Sequence, residues 1–303
     1  MSAVSLSIIT PTFNSAALLP AALASVDCAQ VEHLVVDGGS TDGTLALVQG
    51  NPGLRLLPGP DRGIYDALNK GILAAQGDII GLLNSDDRYP PGALAAVLDC
   101  FAHHPDVEVV SGAAEVFVSD AQGERVIARH DDASRNGLTA VNIMREVPII
   151  NARFFRLRLF ERLGGFSLDY PLGADRELLI RWAAAGVKSI YLPRTLYQYR
   201  AHEGSRTLAG TPLVARRLAA ENLTMAEAML AQWQHQPALR AAALAWHRDY
   251  IATDLVAALR LGAWSEIPAI ARRAARQDSG WFWRMPAVVQ RKLRSRRALE
   301  AGA

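Results

Sequence analysis

Short apolar runs that each end in a polar cluster constrain the fold of this chain more than any other feature. Val4–Thr10 runs into Pro11–Asn14, Val31–Asp37 stops at Gly38-Gly39, and Asp78–Leu83 ends in Asn84-Ser85-Asp86-Asp87. A fourth brief run, Leu54–Leu57, lies between the last two. Runs this short and this continuously apolar read as strands buried on both faces. Helix signals separate them. Ala16–Val26 is rich in Ala and Leu, a helix is expected from near Thr44 with Asp42 as its N-cap, and Ile64, Ala67, Leu68, Gly71, Ile72 and Ala75 define one helix face behind Asp61 as N-cap. Strands and helices in alternation predict a mostly parallel sheet with helices on both faces. In open sheets of this kind, ligands sit outside the C-terminal ends of the strands. The clusters at Thr10–Asn14, Asp37–Asp42 and Asn84–Asp87 fall there.

Further along, residues 105–130 read as two strands joined by a turn around Asp120–Gly123, Asp175–Ala185 as a helix, and Val187–Leu192 and Leu196–Arg200 as two short strands. After about Ser205 the texture becomes helical throughout. Val214, Leu218, Met225, Met229 and Trp233 step by four and seven, and Leu239, Ala243, Trp246, Tyr250, Leu255 and Ala258 continue after Pro237. Further helices are expected after Ser265 and Gly280. Residues 1–207 are therefore expected to form an α/β domain and residues 208–303 an all-helical C-terminal region.

A chain that is 50% hydrophobic and 20% charged is not a disordered one. Its net charge of +2 hides a gradient: four basic and ten acidic residues in 1–100, fourteen basic and seven acidic in 211–303. Cys28 and Cys100 are expected as buried free thiols, which excludes a disulfide framework and a cysteine zinc site. The first residues read as a strand, not as a signal peptide, and no apolar run approaches membrane-spanning length. A cytoplasmic protein is expected.

Asp86-Asp87 offers a pair of hard oxygen ligands suited to Mg²⁺ or Mn²⁺, which would bridge a diphosphate. The alternative is that the two residues cap a helix beginning near Pro91. Asp37-Gly38-Gly39-Ser40-Thr41-Asp42-Gly43-Thr44 is a glycine-rich strand-to-helix loop where backbone and ligand can approach closely, with Asp37 able to accept from a base or ribose. It lacks both the dinucleotide glycine spacing and the lysine of a P-loop.

Four blocks, in this order and spacing, resemble the family 2 glycosyltransferases of the GT-A fold. They are Ser7–Asn14, Val35–Thr44, Asp61-Arg62-Gly63-Ile64-Tyr65-Asp66-Ala67-Leu68-Asn69-Lys70-Gly71, and Gly77-Asp78 through Asp87. The resemblance spans about residues 4–205, is weak over 105–145, and is closest to bacterial members that build exopolysaccharide or O-antigen units. It implies an inverting, metal-dependent transfer of a sugar from a UDP- or GDP-linked donor to a hydroxyl of a glycan or lipid-linked acceptor. Donor contacts are implied at Thr10, Pro11, Phe13, Asn14, Asp37, Gly39, Arg62, Asn69 and Asp86, with Asn69 either touching the nucleotide or supporting its loop. Metal contacts are implied at Asp86, Asp87 and His202. Many members carry Asp where this chain has Asn84, which leaves the charge complement to the Asp pair. Gly173–Trp182 is similar to the acceptor-side motif and puts Asp175 in the position of the catalytic base, on a helical face shared with Leu178, Leu179 and Trp182; the alternative is an N-cap. Glu177 is expected to pair with Arg181. Asn151 is implied as a polar wall of the acceptor pocket, and Arg200 and Arg206 as reaching phosphates.

The tail, Trp281-Phe282-Trp283-Arg284 and then Arg291–Arg297, reads either as a surface for an anionic membrane, on whose inner face the protein would be peripheral, or as a packed helix with solvated arginines. No nucleic-acid motif is present. A non-catalytic sugar-nucleotide-binding or scaffold protein of the same fold remains an alternative, although it would not need Asp86, Asp87 and Asp175 together. A nucleotidyltransferase is disfavoured by the absence of a basic glycine-rich loop after Val4–Thr10.

Overall fold

The computed structural model describes residues 5–28, 31–120, 123–202, 211–285 and 288. The chain divides into two compact units, 1–202 and 203–303; the expected boundary near residue 207 lies outside the described residues.

The first unit is built on an eight-stranded sheet. Strands β1 (Leu6–Thr12), β2 (Val31–Asp37), β3 (Leu54–Pro58) and β4 (Ile79–Leu82) run parallel in the order β3-β2-β1-β4. Beyond β4, β7 (Arg153–Arg156) enters antiparallel and then meets β5 (Val109–Asp120). One edge of β5 pairs with β7 at 109–111 and with β6 (Gly123–His130) at 114–120; the other pairs in parallel with β8 (Ser189–Arg200). Helices α1 (Leu19–Ala24), α2 (Thr44–Gln49), α3 (Ile64–Ala74) and α4 (Ala93–His103) follow the first four strands in turn. The short helices α5 (Ala133–Asn136) and α6 (Ala140–Arg145) precede β7, α7 (Leu157–Leu163) follows it, and α8 (Ala174–Ala184) leads into β8.

β1 and β4 are buried along their whole length because helices cover both faces of the sheet. The core there includes Leu6, Ile8, Ile79, Val97, Phe101, Val110, Phe154 and Tyr197. Gly71 lets α3 press onto the sheet: a Cβ at that position would stand 2.3 Å from Ile9 Cγ2. That close seating fixes where the N-terminal end of α3 meets the strand ends.

Several local expectations are corrected. β8 is one strand of twelve residues, not two. Pro193 has no N–H to give the ladder, and the register jumps past it, Leu192 pairing with Gly112 and Thr195 with Ala113. The helix caps each shift by one or two residues to a glycine: Gly43 for α2, Gly63 for α3 and Gly173 for α8. Asp42 and Asp61 instead accept from backbone N–H groups beside those caps, at Thr44 (3.1 Å) and Gly63 (2.8 Å). Gly92 caps α4, so neither Asp86 nor Asp87 does. Both cysteines are free; Cys100 is buried, but Cys28 is only half-buried.

The buried ring of His33 on β2 lies 2.9 Å from Thr10 Oγ1, and burial pulls its pKa from 6.5 down to about 4. The unfolded chain therefore binds the proton more readily. The stability this neutral ring confers is complete above pH 6.5 and is lost as pH falls toward 4, up to about 3 kcal/mol. His33→Gln should flatten the decline of Tm between pH 7 and pH 4; an unchanged slope would exclude this ring as the acid-labile group.

The second unit is helical among its described residues: α9 (Pro212–Gln232), α10 (Pro237–Arg260), α11 (Ile267–Gln277) and a further turn at 281–285. Leu223, Ile251, Ala258, Ile270 and Ala274 form a core, with Tyr250, Leu255, Trp281 and Met285 packed against it. Arg216 joins Asp254 and Glu266, and Arg273 joins Glu227, which His247 also meets. No described helix is long and apolar enough to cross a membrane.

Candidate active site

The polar ends of β1 and β2 are stitched to one another. Asn14 takes φ 49°, alone among the described non-glycine residues in the left-handed region. Its N–H donates to Ser40 Oγ at 2.8 Å, and its Oδ1 accepts from Thr41 N at 2.9 Å. Asp37 is 1% exposed. Its Oδ1 accepts from the N–H groups of Gly39 (2.9 Å) and Ser40 (2.8 Å), and its Oδ2 accepts from Ser40 Oγ at 2.6 Å. The carboxylate therefore organises the loop from within. Gly38 makes room for the next loop, since a Cβ there would stand 2.6 Å from Asp61 Oδ2.

The implied donor residues thus separate. Phe13 is exposed, the Arg62 side chain is exposed with Asp66 at 3.3 Å, and Asn14 and Gly39 lie on the loops at the sheet edge. Thr10 and Pro11 are buried within β1, Thr10 against His33, and Asp37 is turned inward. Asn69 is far from free: its Nδ2 donates to Phe166 O at 2.8 Å and its Oδ1 accepts from Phe166 N at 2.9 Å. It supports a loop, but the loop is at 164–166. Thr12, inside the Thr10–Asn14 cluster, ends β1 with its buried Oγ1 unpartnered among the described residues.

The two adjacent aspartates have different surroundings. Asp87 is buried and faces inward: Oδ2 accepts from Asn84 Nδ2 and Tyr197 Oη, both at 2.9 Å, and Oδ1 accepts from Arg200 N at 2.7 Å. Burial first, and the charge of Asp86 second, push its pKa up to about 7. Asp86 is about one-third exposed, and its Oδ2 lies 2.9 Å from His202 Nε2. The expected three-ligand set of Asp86, Asp87 and His202 is not gathered; among the described residues no three His, Cys, Asp or Glu side chains are grouped to hold a metal. What the chain does offer is one carboxylate oxygen and one imidazole nitrogen side by side at a partly open edge. That donor set fits a divalent cation whose remaining ligands are water and substrate phosphates. Arg200 lies over the Phe117 ring at 4.8 Å and donates from Nε to Asp86 O at 3.2 Å, so it braces this turn. Arg206 lies outside the described residues.

Asp175 occupies the first turn of α8 and is half-buried. Its Oδ1 accepts from Arg176 N at 2.7 Å. Burial raises its pKa above the ordinary value, with the charge and N–H of Arg176 and the nearby Tyr65 pulling the other way. The Arg176 guanidinium itself turns to the carbonyls of Ile143, Met144 and Glu146. Glu177 pairs with Arg181 at 2.8 Å, as the spacing predicts.

A buried polar chain runs from Asp87 through Tyr197 and Asn151 to Tyr199. Asn151 Nδ2 donates to Tyr197 Oη at 3.0 Å, Tyr197 donates to Asp87, and Tyr199 Oη approaches Asn151 Oδ1 at 3.5 Å. Tyr199 lies within electrostatic range of both Asp87 and Asp175. Asn151 is 5% exposed, a bridge inside the wall. Two residues on, Arg153 is 2% exposed, with Nε and Nη1 unpartnered among the described residues. Burial lowers its pKa to about 10, so it stays cationic at neutral pH.

Comparisons with known proteins speak to the family and the fold. The profile for Glycosyl transferase family 2 matches residues 7–163. The PGL/p-HBAD biosynthesis glycosyltransferase of Mycobacterium bovis is 34% identical over 192 residues, which span 60% of this chain and 70% of that one. Among solved structures, S. aureus TarS 1–349 in complex with UDP-GlcNAc aligns at TM-score 0.66 and 16% identity, covering 95% of this chain and 92% of that one. The mannosyltransferase of Pyrobaculum calidifontis, in complex with GDP-Man and Mn²⁺, aligns at TM-score 0.59 and 24% identity, covering 93% and 84%. A parallel sheet whose polar loops gather at the strand ends, and a family profile over half of the chain, lead to one conclusion: this chain is a glycosyltransferase of family 2 with the GT-A fold.

Proposed function

We propose that the chain is an inverting, metal-dependent transferase that moves a sugar from a UDP- or GDP-linked donor to a hydroxyl of a glycan or lipid-linked acceptor in surface polysaccharide or glycolipid synthesis. Residues 1–207 form the catalytic domain and 208–303 a helical extension. The observation that carries this reading is the different surroundings of the carboxylates: Asp86 with His202 at a partly open edge, Asp87 buried in a tyrosine–asparagine network, and Asp175 half-buried at the start of α8.

Asp86 and His202 would hold Mg²⁺ or Mn²⁺, which supplies charge neutralisation to a diphosphate leaving group. Asn14, Gly39, Phe13 and Arg62 border the donor's nucleotide. Asp87 accepts three hydrogen bonds and so holds the turn that presents Asp86. Asp175 accepts the proton of the acceptor hydroxyl. That oxygen bonds to the anomeric carbon as the bond to the nucleoside diphosphate breaks, and the electron pair leaves with the diphosphate. One displacement with one base needs no enzyme nucleophile, and it inverts the anomeric centre. From an α-linked donor the product should therefore be β-linked, read from its anomeric proton coupling by NMR; an α-linked product would sink the single-displacement scheme.

The helical extension carries exposed aromatics, Trp264, Phe282 and Trp283, and three arginines on α11. These support a peripheral seat on an anionic membrane surface, where a lipid-linked acceptor resides; the basic run Arg291–Arg297 lies outside the described residues. Failure to sediment with anionic phospholipid vesicles would remove this part of the reading.

A further inference from the structure

A cleft of about 500 Å³ opens beside α11 in the helical unit, lined by Ala269, Arg272, Arg273, Arg276 and Gln277 of that helix and by Glu227 of α9. It continues past Glu227 and Gln277, where Arg240 and His235 join the wall beside Leu230 and Ala231. The wall is built outward from the core. His247, 1% exposed, lies 3.3 Å from Glu227 Oε1. Arg273 then pairs with Glu227 through both oxygens, Nε to Oε1 at 2.6 Å and Nη2 to Oε2 at 3.0 Å, and also donates to Thr224 Oγ1 at 3.2 Å. The carboxylate in the cleft is thus already matched. Other acids of the unit are matched as well: Asp278 by Arg248 and Arg284, and Asp254 and Glu266 by Arg216. Arg272, Arg276 and Arg240 have no ion pair or hydrogen bond among the described residues. Helix α11 holds three arginines and no acid, and Arg272 and Arg276 stand one turn apart on it. Like charges at that spacing repel one another. An anion in the cleft would turn this repulsion into binding.

We infer that this cleft binds the terminal phosphate of a membrane lipid, a phosphomonoester or diphosphate headgroup, with Arg272, Arg276 and Arg240 as its donors. The inference rests on the membrane seat proposed for the helical extension and deepens it by naming the headgroup. A guanidinium presents paired N–H groups that match two oxygens of a phosphate. Two such forks exhaust the two free oxygens of a phosphodiester, which carries one charge. A terminal phosphate offers three oxygens and about two charges, which suits three unpaired arginines. The lipid source follows from the flanks of α11. Trp264 before it and Phe282 and Trp283 after it are exposed. Aromatics of this kind rest at a lipid–water boundary, where a headgroup phosphate lies and a soluble phosphate gains nothing from them.

Sedimentation of the full chain with two kinds of phosphatidylcholine vesicle tests this. One kind carries phosphatidic acid, a phosphomonoester, and the other carries phosphatidylglycerol, a phosphodiester, at matched surface charge. The wild type should bind the phosphatidic acid vesicles about tenfold more tightly. The double substitution Arg272→Gln and Arg276→Gln should abolish that preference with Tm unchanged, since neither side chain holds the fold. Arg217→Gln with Arg260→Gln removes the same charge from exposed positions outside the cleft and should keep the preference. Inorganic phosphate, at the same phosphate concentration as the lipid, should not release the chain. Equal binding of the wild type to the two vesicles, a preference that survives loss of Arg272 and Arg276, or an equal loss in the control pair would overturn the cleft and leave the membrane seat standing. Release by inorganic phosphate would overturn the lipid as the source of the ligand. No sedimentation with either vesicle would remove the membrane seat, and the headgroup site with it.

Discussion

Asp175→Asn should lower transfer to the acceptor by roughly 10³-fold, within the range that a positioned general base contributes. Asparagine keeps the size of the side chain and an oxygen that can accept from Arg176 N, so the start of α8 should hold its shape. What it lacks is the capacity to take a proton. Donor KM should change little, and slow release of nucleoside diphosphate to water should persist. The pH dependence of the wild type follows from the same carboxyl. Burial raises its pKa above the ordinary carboxylate value, so the active, ionised form is complete at higher pH and is lost as pH falls through that raised value. The acid limb should accordingly lie above the usual aspartate range. Wild-type transfer by Asp175→Asn would show that another group takes the proton.

The second large effect separates the two adjacent aspartates. Asp86→Ala removes the partly exposed carboxylate beside His202 and leaves the buried network intact. Turnover and its stimulation by Mn²⁺ should fall by about 10²-fold or more, with Tm nearly unchanged, because the lost group stabilises charge at the leaving group. Asp87→Ala should do the reverse in proportion. It strands Asn84 Nδ2, Tyr197 Oη and Arg200 N, and each buried donor left without a partner costs about 1–3 kcal/mol. Its dominant signature should be a lower Tm. Equal Tm values for the two variants would show that Asp87 is not the brace its hydrogen bonds describe.

These contrasts show where the sequence stops being legible. The strands at Val31–Asp37 and Leu54–Pro58 stand where the apolar runs put them, because a run buried on both faces is a local signal. The position of the polar clusters at strand ends was legible for the same reason. The direction each side chain faces was not. Asp37 turns inward because Ser40 and Gly39 curl back onto it, and Asn69 is occupied because Phe166, 97 residues later, arrives beside it. Asp86 and His202 meet across 116 positions, a pairing that only the sheet order β4-β7-β5-β8 creates. Strand β7 could not be read at all: four residues, an arginine at each end, and no alternation. Its Arg153 is nonetheless among the most buried large side chains of the described structure. In β8 the two short runs were legible but their continuity was not, since the ladder resumes past Pro193 only through β5. The motif resemblance named the loops at the strand ends, and the packing divides their residues between those that face outward and those that hold the others in place.

The most direct measurement is nucleoside diphosphate release by the purified chain from a panel of UDP- and GDP-linked sugars, with Mn²⁺ or Mg²⁺ and then with chelator. At least one donor should release diphosphate in the presence of metal, chelator should stop it, and Asp86→Ala should behave as the chelated protein does. Binding of a donor with no release, or release that chelator and Asp86→Ala leave untouched, would contradict a metal-dependent transferase; the first outcome would identify a non-catalytic binder of the same fold.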